Sequence, residues 1–341
     1  MTSPTNRQIL LKSRATAEPG LENFELVETP VPEPGAGEVL VRGIYLSLDP
    51  YMRGRMRDVK SYIPPIPIGE VMTGGVVGEV VRSDDPAFAP GDIVEGLLGW
   101  QDYAVAPGAA LRQVDPALAP ISTALGVLGM PGLTAYFGLL EIGRPQAGET
   151  VVVSAAAGAV GSAVGQIARI EGCRAVGIAG GRAKCDAVTG TLGFDACIDY
   201  KNADLETALT ETCPDGIDVY FDNVGGTTLD TVLHHINRGA RIVICGMISE
   251  YNLETPEPAP RQTRALLVNR ARMEGFIIFD FAARYEEGRA ALGAWVRDGR
   301  LKYHEDIAEG LEAAPAAFIG LLRGANFGKQ LVHLGLRRVA P

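Results

Sequence analysis

A run of small residues near the middle of the chain constrains the fold more than any other segment. Residues 154–165 read SAAAGAVGSAVG and directly follow the apolar run ETVVV. So little side-chain volume where a strand passes into a helix permits either close packing or the approach of a ligand to the backbone. In a doubly wound parallel sheet, the first strand-to-helix turn is where the pyrophosphate of a dinucleotide binds.

The glycine spacing supports the ligand-binding interpretation only in part. The usual pattern G-x-G-x-x-G would place glycines at 156, 158 and 161, and position 156 is alanine. Gly161 and Gly165, four residues apart, would give the helix a smooth side against the sheet, so packing alone is an alternative. The place of the glycines, after an apolar strand and before a helix, favours ligand binding.

Strand and helix patterns alternate after about residue 125 and predict the doubly wound sheet itself. Several of the runs are almost continuously apolar, as expected for strands that are buried on both faces. We expect helices over about 129–143, 159–171 and 183–192. The predicted strands are TVVVSA (150–155), RAVGIAG (174–180), ACIDY (196–200), GIDVYFDNV (216–224), ARIVICG (240–246) and MEGFIIFD (273–280).

The chain before residue 125 is rich in strands and turns. Runs of Val, Ile and Tyr bounded by Gly, Pro and Asp occur at residues 38–47, 74–83 and 91–106. Prolines at 30, 32 and 34, and again at 64, 65 and 67, exclude long helices there. The pattern predicts a separate, mostly antiparallel domain, which agrees with a length of 341 residues.

The charge of the chain limits its partners. A net charge of −10 and a pI near 5.0 argue against a surface for nucleic acid or anionic membranes. No apolar stretch reaches the ~18 residues of a membrane helix, and the N-terminal sequence lacks the apolar core of a signal peptide. We therefore expect a cytoplasmic protein whose partner is a small molecule.

The cysteines and histidines lack the spacing of a zinc site. The five cysteines lie at 173, 185, 197, 213 and 245, and none belongs to a C-x-x-C pair. The four histidines lie at 234, 235, 304 and 333 and do not combine with the cysteines into a ligand pattern. We expect reduced, buried thiols and no metal.

The segment GIAGGRAKCD (177–186) bears on the choice between NAD and NADP. An NAD site usually carries Asp or Glu about 20 residues after the glycines, where the acid binds the ribose hydroxyls. The first acid here is Asp186, which is too late to lie at the strand end, and Gly181, Arg182 and Lys184 precede it. Two cations suit a 2′-phosphate, so we predict NADP(H). The alternative is that Arg182 and Lys184 decorate an exposed helical turn.

Several motifs in combination resemble one family over nearly the whole chain. AAAGAVGSAVGQIA, GGRAKC, FDNVGG, CGMISEYN, NFGKQL, LSLDPYMRGRM and MPGLTAYFGLLEIG are similar to the zinc-free medium-chain dehydrogenases/reductases, in the branch of the NADPH-dependent alkenal, prostaglandin and curcumin-type reductases. The G-H-E element of zinc-dependent relatives is replaced by PIGEV, which has no histidine. The resemblance implies a GroES-like catalytic domain over residues 1–127, completed by 302–341, and a Rossmann NADP-binding domain over 128–301.

The resemblance also implies which residues bind NADP(H). Lys184, together with Gly181 and Arg182, would meet the 2′-phosphate, Tyr200 would lie along the adenosine, and Asn223 would meet the ribose next to the nicotinamide. The pyrophosphate would contact Gly158, Ala159, Val160 and Gly161. The nicotinamide cleft would be lined or closed by Cys245, Gly246, Met247, Ile248, Ser249, Tyr251, Phe276, Ile277, Ile278 and Asn326.

Some of these residues have a purely structural alternative. Tyr200 and Phe276 could be core aromatics, and Asn223 could be a turn residue before the paired glycines at 225 and 226.

The implied chemistry is reduction of a C=C bond that is conjugated to a carbonyl group. Hydride would go to the β-carbon, hydrogen bonds from Tyr251 and a cofactor ribose hydroxyl would stabilise the enolate oxygen, and the α-carbon would then be protonated. Tyr51, in DPYMR, is a second candidate catalytic residue and could shape the substrate end. For both tyrosines, packing in a cleft wall is the alternative. Alcohol oxidation, which needs a Lewis acid, is disfavoured by the missing zinc spacing.

Two further functions stay open at this point. One is a quinone oxidoreductase of the same superfamily, and the other is a non-catalytic NADPH-binding or RNA-associated protein, which the acidic charge disfavours. Relatives in this branch are mostly dimers joined through the Rossmann sheet. The apolar run at 273–280 would suit an edge strand that must be covered, so we expect a homodimer.

Overall fold

A computed structural model describes residues 5–335, which form two compact units. Among the described residues, the first unit takes in residues 5–126, Glu305–Asn326 and residues 330–335. The second takes in Val127–His304 and Phe327–Lys329. The first unit is antiparallel and strand-rich, and the second is built on a parallel sheet with helices, so the predicted α/β fold class is confirmed.

The helices and strands follow the chain in three groups. The N-terminal group comprises β1 (Thr5–Leu11), β2 (Phe24–Pro30), β3 (Glu38–Ser47), α1 (Tyr51–Arg55), β4 (Val76–Ser83), β5 (Ile93–Gly96), β6 (Tyr103–Pro107) and β7 (Arg112–Gln113). The central group comprises α2 (Met130–Phe137), β8 (Thr150–Ser154), α3 (Ala159–Ile170), β9 (Arg174–Ala179), α4 (Arg182–Gly190), β10 (Ala196–Asp199), α5 (Leu205–Thr212), β11 (Ile217–Asp222), α6 (Gly226–Val232), β12 (Ile236–Ile244), α7 (Thr263–Asn269), β13 (Arg272–Gly275) and α8 (Tyr285–Arg297). The C-terminal group comprises β14 (Glu305–Glu309), α9 (Ala314–Leu322) and β15 (Lys329–His333).

The first unit holds one large antiparallel sheet and one small ladder. The large sheet has the order β14-β15-β3-β4-β5-β7, with β6 also paired to β3, and β1 and β2 form a separate two-stranded ladder. Three aromatic rings join elements that are distant in sequence. Trp100 stacks on Phe24 at 5.7 Å between ring centroids and meets Phe318 edge-on at 5.7 Å. Because Phe318 belongs to α9, the C-terminal helix completes the core of the first unit.

The second unit has the topology of a doubly wound sheet. Its six strands are all parallel in the order β10-β9-β8-β11-β12-β13. The chain starts at β8, moves outward to β10 and then crosses back to β11, so the winding direction reverses between β8 and β11. In open sheets of this kind, ligands bind outside the carboxyl ends of the strands at such a reversal point.

Packing accounts for the small residues of α3. Every residue of β8 is buried, and so is the face of α3 that lies against the sheet. A Cβ atom on Gly165 would stand 1.9 Å from Cζ of Phe194, a core ring that is itself buried. Position 165 therefore needs glycine for steric reasons alone.

The predicted strand over residues 273–280 is wrong in its second half. β13 ends at Gly275, and Ile278–Arg284 forms a 3-10 helix. The main-chain N–H of Asp280 donates to the Ile277 oxygen at 3.0 Å, and the Tyr285 hydroxyl donates to the Ile278 oxygen at 3.0 Å. These bonds occupy backbone groups that a strand would have used.

Smaller differences affect two other predicted elements. The run at 91–106 contains two strands, β5 and β6, and Gly99 takes a φ of +78° between them. The predicted helix at 129–143 is α2 followed by a π-helical turn at Gly138–Gly143. None of the helices between residues 5 and 335 combines the length and the apolar character that crossing a membrane requires.

A matched pair of helix substitutions tests the packing of α3. Gly165→Ala should lower the free energy of unfolding by ~1–3 kcal/mol, because overpacking against Phe194 outweighs the gain in helix propensity. Gly293→Ala, in α8, meets nothing within 4 Å and should raise the free energy of unfolding by up to ~1 kcal/mol. Urea denaturation measures both, and equal stabilisation by the two alanines would contradict the packing described here.

Candidate active site

The turn after β8 brings α3 close to the backbone that precedes it. A Cβ atom on Gly161 would lie 2.3 Å from the carbonyl oxygen of Ala155, a main-chain atom that cannot move aside. Ala155 itself has a φ of +50°, in the left-handed region that side chains disfavour. The main-chain N–H groups of the first helical turn, at Ala159, Val160 and Gly161, have no partners within the helix. The turn therefore offers donors and a partial positive charge to an anion.

Two residues that follow β10 cover Gly180, at the carboxyl end of the neighbouring strand. A Cβ atom on Gly180 would lie 2.9 Å from Cε of Lys201 and 3.0 Å from Cε1 of Tyr200. The Tyr200 side chain is 50% exposed, so its interpretation as a core aromatic is wrong. Its ring stands beside Gly180 at the sheet edge where the adenosine is expected.

The cations of this edge differ in their surroundings. Arg182 begins α4 after Gly181, whose φ is +96°, and its side chain is 90% exposed with Asp186 at 3.7 Å. So exposed an ion pair adds little stability and leaves the guanidinium available to a ligand. Lys184 is half-buried in the same helical turn. Lys201 lies against Gly180, so three cationic residues lie near the Gly180–Gly181 corner.

Asp199 organises this corner, and sequence reasoning missed it. Its carboxylate accepts hydrogen bonds from the main-chain N–H of Gly181 at 2.7 Å and of Lys201 at 3.2 Å, and from the Asn202 side chain at 2.7 Å. The Asn202 bond, followed by the Gly181 bond, lowers the pKa of Asp199. The sequence signal that could have identified Asp199 is an acidic residue at the end of a predicted strand, directly before turn residues.

A buried carboxylate ends β11, next to the end of β8. Oδ1 of Asp222 accepts from the Ser154 hydroxyl at 3.0 Å and the Tyr220 hydroxyl at 2.8 Å. The same atom accepts from the main-chain N–H groups of Val224 and Gly225, each at 3.0 Å. Oδ2 is buried and has no hydrogen-bond partner among residues 5–335. Burial raises the pKa of Asp222.

The Asn223 side chain is fixed by the last residue of β8. Its Nδ2 donates to the main-chain oxygen of Ser154 at 2.8 Å, and its own main-chain N–H donates to the Ser154 hydroxyl at 2.9 Å. The two adjacent strand ends are thus joined at the reversal point of the sheet. Sequence reasoning selected Asn223 but missed Ser154, Tyr220 and Asp222.

The loop after β12 lies against the turn that follows β11. The main-chain N–H groups of Cys245 and Gly246 donate to the main-chain oxygen of Asp222 at 2.9 and 3.1 Å. The N–H of Ile248 donates to the main-chain oxygen of Asn223 at 3.2 Å. The Ser249 hydroxyl donates to the Val224 oxygen at 2.6 Å. The structure therefore brings Asn223 together with the predicted cleft residues of the 245–251 loop.

Within this loop, the hydroxyl of Tyr251 turns back toward the backbone. Its oxygen accepts from the Met247 N–H at 3.3 Å and lies 3.2 Å from the position of a Cβ atom on Gly246. An oxygen that accepts from Met247 keeps its own O–H as a donor. Burial, followed by the Asp222 carboxylate, raises the pKa of Cys245 to about 12, so this thiol stays protonated at neutral pH.

The residues predicted around 276–278 lie mainly in the core of the second unit. The Phe276 ring meets Phe221 edge-on at 6.4 Å, and its Cζ would stand 2.5 Å from a Cβ atom on Gly138. Ile277 is half-buried, and Ile278 is buried in the same core. Their contacts describe packing, and their predicted cofactor contacts stay a prediction.

Tyr51 and Asn326 belong to the first unit. Tyr51 begins α1, and burial, followed by the Asp49 carboxylate, raises its pKa, so its phenol is protonated at neutral pH. Arg55 donates to the Thr73 hydroxyl at 2.9 Å nearby. Asn326 is buried just before β15. No group of three or more His, Cys, Asp or Glu side chains that could hold a metal ion occurs between residues 5 and 335.

The buried Asp222 carboxyl predicts a pH effect on stability. Because its pKa is raised in the folded protein, the stability it contributes is present below its ordinary pKa and is lost as the pH rises through the folded value. Asp222→Asn keeps the accepting oxygen and replaces the oxygen that has no partner. The free energy of unfolding of the variant, relative to the wild type, should therefore increase as the pH rises above the ordinary carboxyl range, by up to about 1.4 kcal/mol per pH unit.

Asp58→Asn, which replaces an exposed carboxylate, is the control. The difference in stability between this variant and the wild type should not change with pH. A relative stability of Asp222→Asn that falls as the pH rises would contradict the assignment.

Comparison with known proteins gives matches along nearly the whole chain. The family described as "N-terminal domain of oxidoreductase" matches residues 7–114, and that described as "Zinc-binding dehydrogenase" matches residues 159–293. The chain is 49% identical over 334 residues to the NADPH-dependent curcumin reductase of Escherichia coli K12, covering 96% of this chain and 97% of the relative. It is 44% identical over 335 residues to the 2-alkenal reductase (NADP(+)-dependent) of Nicotiana tabacum, with 96% and 97% covered.

A solved structure has the same fold throughout. CurA from Vibrio vulnificus in complex with NADPH is 50% identical, with a TM-score of 0.93 over 97% of this chain and 99% of that one. The match at this level of identity extends over both units. The chain therefore belongs to the zinc-free medium-chain dehydrogenases/reductases, in the branch that contains the curcumin, alkenal and prostaglandin reductases.

Proposed function

We propose that the chain reduces the C=C bond of α,β-unsaturated ketones and aldehydes with NADPH. The observation that carries the proposal is the full-length likeness to two reductases whose named substrates, curcumin and 2-alkenals, share a double bond conjugated to a carbonyl group. Neither the fold nor the glycine turn alone would distinguish this reaction from other hydride transfers.

The residues of the second unit fit NADPH. The Gly161 turn leaves no room for a side chain and presents main-chain donors, which suits a pyrophosphate. Arg182, Lys184 and Lys201 surround the corner where a 2′-phosphate is expected, and Tyr200 offers an exposed ring beside it. Asp199, the acid that bonds the Gly181 main chain, is already occupied by three hydrogen bonds. This charge pattern suits NADPH better than NADH.

The chemistry divides between the cofactor and the chain. When bound, NADPH supplies the hydride. The chain's part is to hold the substrate carbonyl and to donate a hydrogen bond to the oxygen on which negative charge develops. Tyr251 is the proposed donor, because it lies in the loop that meets Asn223 and its phenol carries an O–H donor. Tyr51, with a phenol kept protonated by burial, is proposed to shape the substrate end.

A substrate panel tests the proposed reaction. Purified protein should oxidise NADPH in the presence of a 2-alkenal or an enone and release the saturated carbonyl compound, identified by mass spectrometry. Its kcat/KM should be at least about tenfold lower with a quinone of similar size or with NADH as reductant. Turnover of the quinone alone would indicate a quinone oxidoreductase, and NADPH binding without turnover would indicate a non-catalytic protein.

Lys184→Ala, measured in the same assay, tests the proposed preference for NADPH over NADH. Loss of one charge-assisted contact should raise the KM for NADPH by roughly tenfold or more and leave the KM for NADH nearly unchanged. Lys60→Ala, an exposed lysine of the first unit, is the control. Equal effects on both cofactors would contradict a role for Lys184 at the 2′-phosphate.

Tyr251→Phe tests the proposed donor. Removal of a donor that acts in the transition state should lower kcat about 100-fold with little change in NADPH binding. Tyr136→Phe removes a hydroxyl that lies 3.5 Å from Glu287 in the same unit and should leave kcat unchanged. A kcat within about threefold of the wild type would assign Tyr251 to the cleft wall alone.

We further propose a homodimer that covers the edge of the parallel sheet. β13 is the outermost strand, and α7 next to it has no buried residue although it reads TRALLVN. Leu267 is 78% exposed and Val268 is 55% exposed. An apolar surface beside an open strand edge is typical of an interface. The likeness to this branch supports the same assignment.

Light scattering at micromolar concentration tests the dimer. The wild type should have twice the mass of one chain, and Leu267→Asp combined with Val268→Asp should shift it to the monomer. Leu118→Asp, at a leucine that is 66% exposed in the first unit, is the matched control and should stay dimeric. A monomeric wild type would contradict the proposal.

A further inference from the structure

The polar pair Ser154 and Asp222 stands in strands that are otherwise apolar. Ser154 ends β8 and Asp222 ends β11, and both side chains are fully buried. Burying a hydroxyl and a carboxyl is unfavourable unless hydrogen bonds compensate, and apolar residues would stabilise these positions more simply. Their location at the reversal point of the sheet suggests a role other than stability.

The hydrogen bonds fix which way the Asn223 amide faces. The main-chain oxygen of Ser154 can only accept, so the amide atom 2.8 Å from it is the nitrogen. The main-chain N–H and oxygen of Asn223 are also engaged, with the Ser154 hydroxyl and the Ile248 N–H. The amide oxygen, Oδ1, is the polar atom of Asn223 that finds no partner within residues 5–335. It is therefore the atom that is left to accept a hydrogen bond from a ligand.

The Ser154 hydroxyl has its own direction set by Asp222. A carboxylate oxygen accepts, so the Ser154 O–H points at Oδ1 of Asp222, 3.0 Å away, and its lone pairs face the Asn223 N–H. The main-chain N–H groups of Val224 and Gly225 hold the carboxylate oxygen in place, and the Tyr220 hydroxyl is a further donor to it. Charge-assisted bonds of this kind are stronger than bonds between neutral groups.

We propose that Ser154 and Asp222 are positioning residues that act through Asn223. The Ser154 hydroxyl, oriented by Asp222, holds the main-chain N–H of Asn223, and the Ser154 main-chain oxygen holds its amide. In this position Oδ1 accepts a hydrogen bond from a hydroxyl or amide donor on the nicotinamide half of NADPH. The inference rests on the proposed use of NADPH and adds the residues that set the polarity of its binding site. Neither Ser154 nor Asp222 needs to touch the cofactor, because the relay ends at Asn223.

A double-mutant cycle on NADPH affinity tests the relay. Dissociation constants are measured by titration calorimetry, without substrate, for the wild type, Ser154→Ala, Asn223→Ala and the double variant. Ser154→Ala should weaken NADPH binding about five- to tenfold in the wild-type background. It should weaken binding by less than about twofold when Asn223 is already alanine, because residues that act through one another are not additive.

Tyr220→Phe is the matched control. It removes another hydroxyl from the same carboxylate oxygen but makes no hydrogen bond with Asn223. A residue with a purely structural role lowers the melting temperature when it is replaced but leaves NADPH affinity unchanged. For Tyr220→Phe we therefore expect a lower melting temperature and an NADPH affinity within about twofold of the wild type.

Two results would overturn the inference. One is an equal loss of affinity from Ser154→Ala in both backgrounds, and the other is a loss from Tyr220→Phe as large as that from Ser154→Ala. If Ser154→Ala does not fold, Ser154→Cys keeps the size and weakens the hydrogen bonds, and wild-type affinity in that variant would also overturn it. Binding is read without turnover, so failure of the enone assay alone leaves the cycle measurable. A wild type that does not bind NADPH would contradict both proposals.

Discussion

The close approach of α3 to the Ala155 carbonyl is the constraint on which the second unit depends. Only glycine fits at position 161, and only glycine fits under Phe194 at 165, so the helix lies directly on the central strand. That contact places the first turn of α3 beside the ends of β8 and β11, where the winding of the sheet reverses. Main-chain donors, the Asn223 amide and the loop after β12 then meet at one edge of one sheet. The close packing of α3 against the central strand therefore also positions the residues of the candidate site.

The sequence predicted the parts that depend on local patterns. Continuous apolar runs identified the strands of the parallel sheet, and small residues after β8 identified the turn. The strand predicted over 273–280 was wrong in its second half, because a short apolar run does not distinguish a buried strand from a buried helical turn. Asp222 and Ser154 were missed for a different reason. They lie 68 residues apart, and their hydrogen bond arises only when the sheet brings two strand ends together.

Charge is distributed unevenly over the candidate site. Exposed or half-buried cations lie near the Gly180–Gly181 corner, whereas the acids of both strand ends accept hydrogen bonds from donors in their own loops. Asp199 takes three hydrogen bonds and Asp222 takes four, so each carboxylate organises the backbone around it. An acidic chain can in this way keep a local surface suited to a dinucleotide phosphate.

The fate of the transferred hydrogen tests the proposed reaction most directly. NADPH that carries deuterium at the transferable position of C4 is incubated with the protein and an enone, and the product is analysed by mass spectrometry and NMR. We expect one deuterium on the β-carbon of the saturated ketone and a solvent hydrogen on the α-carbon. Deuterium on the carbonyl carbon of an allylic alcohol, or a product without deuterium, would contradict conjugate reduction by this chain.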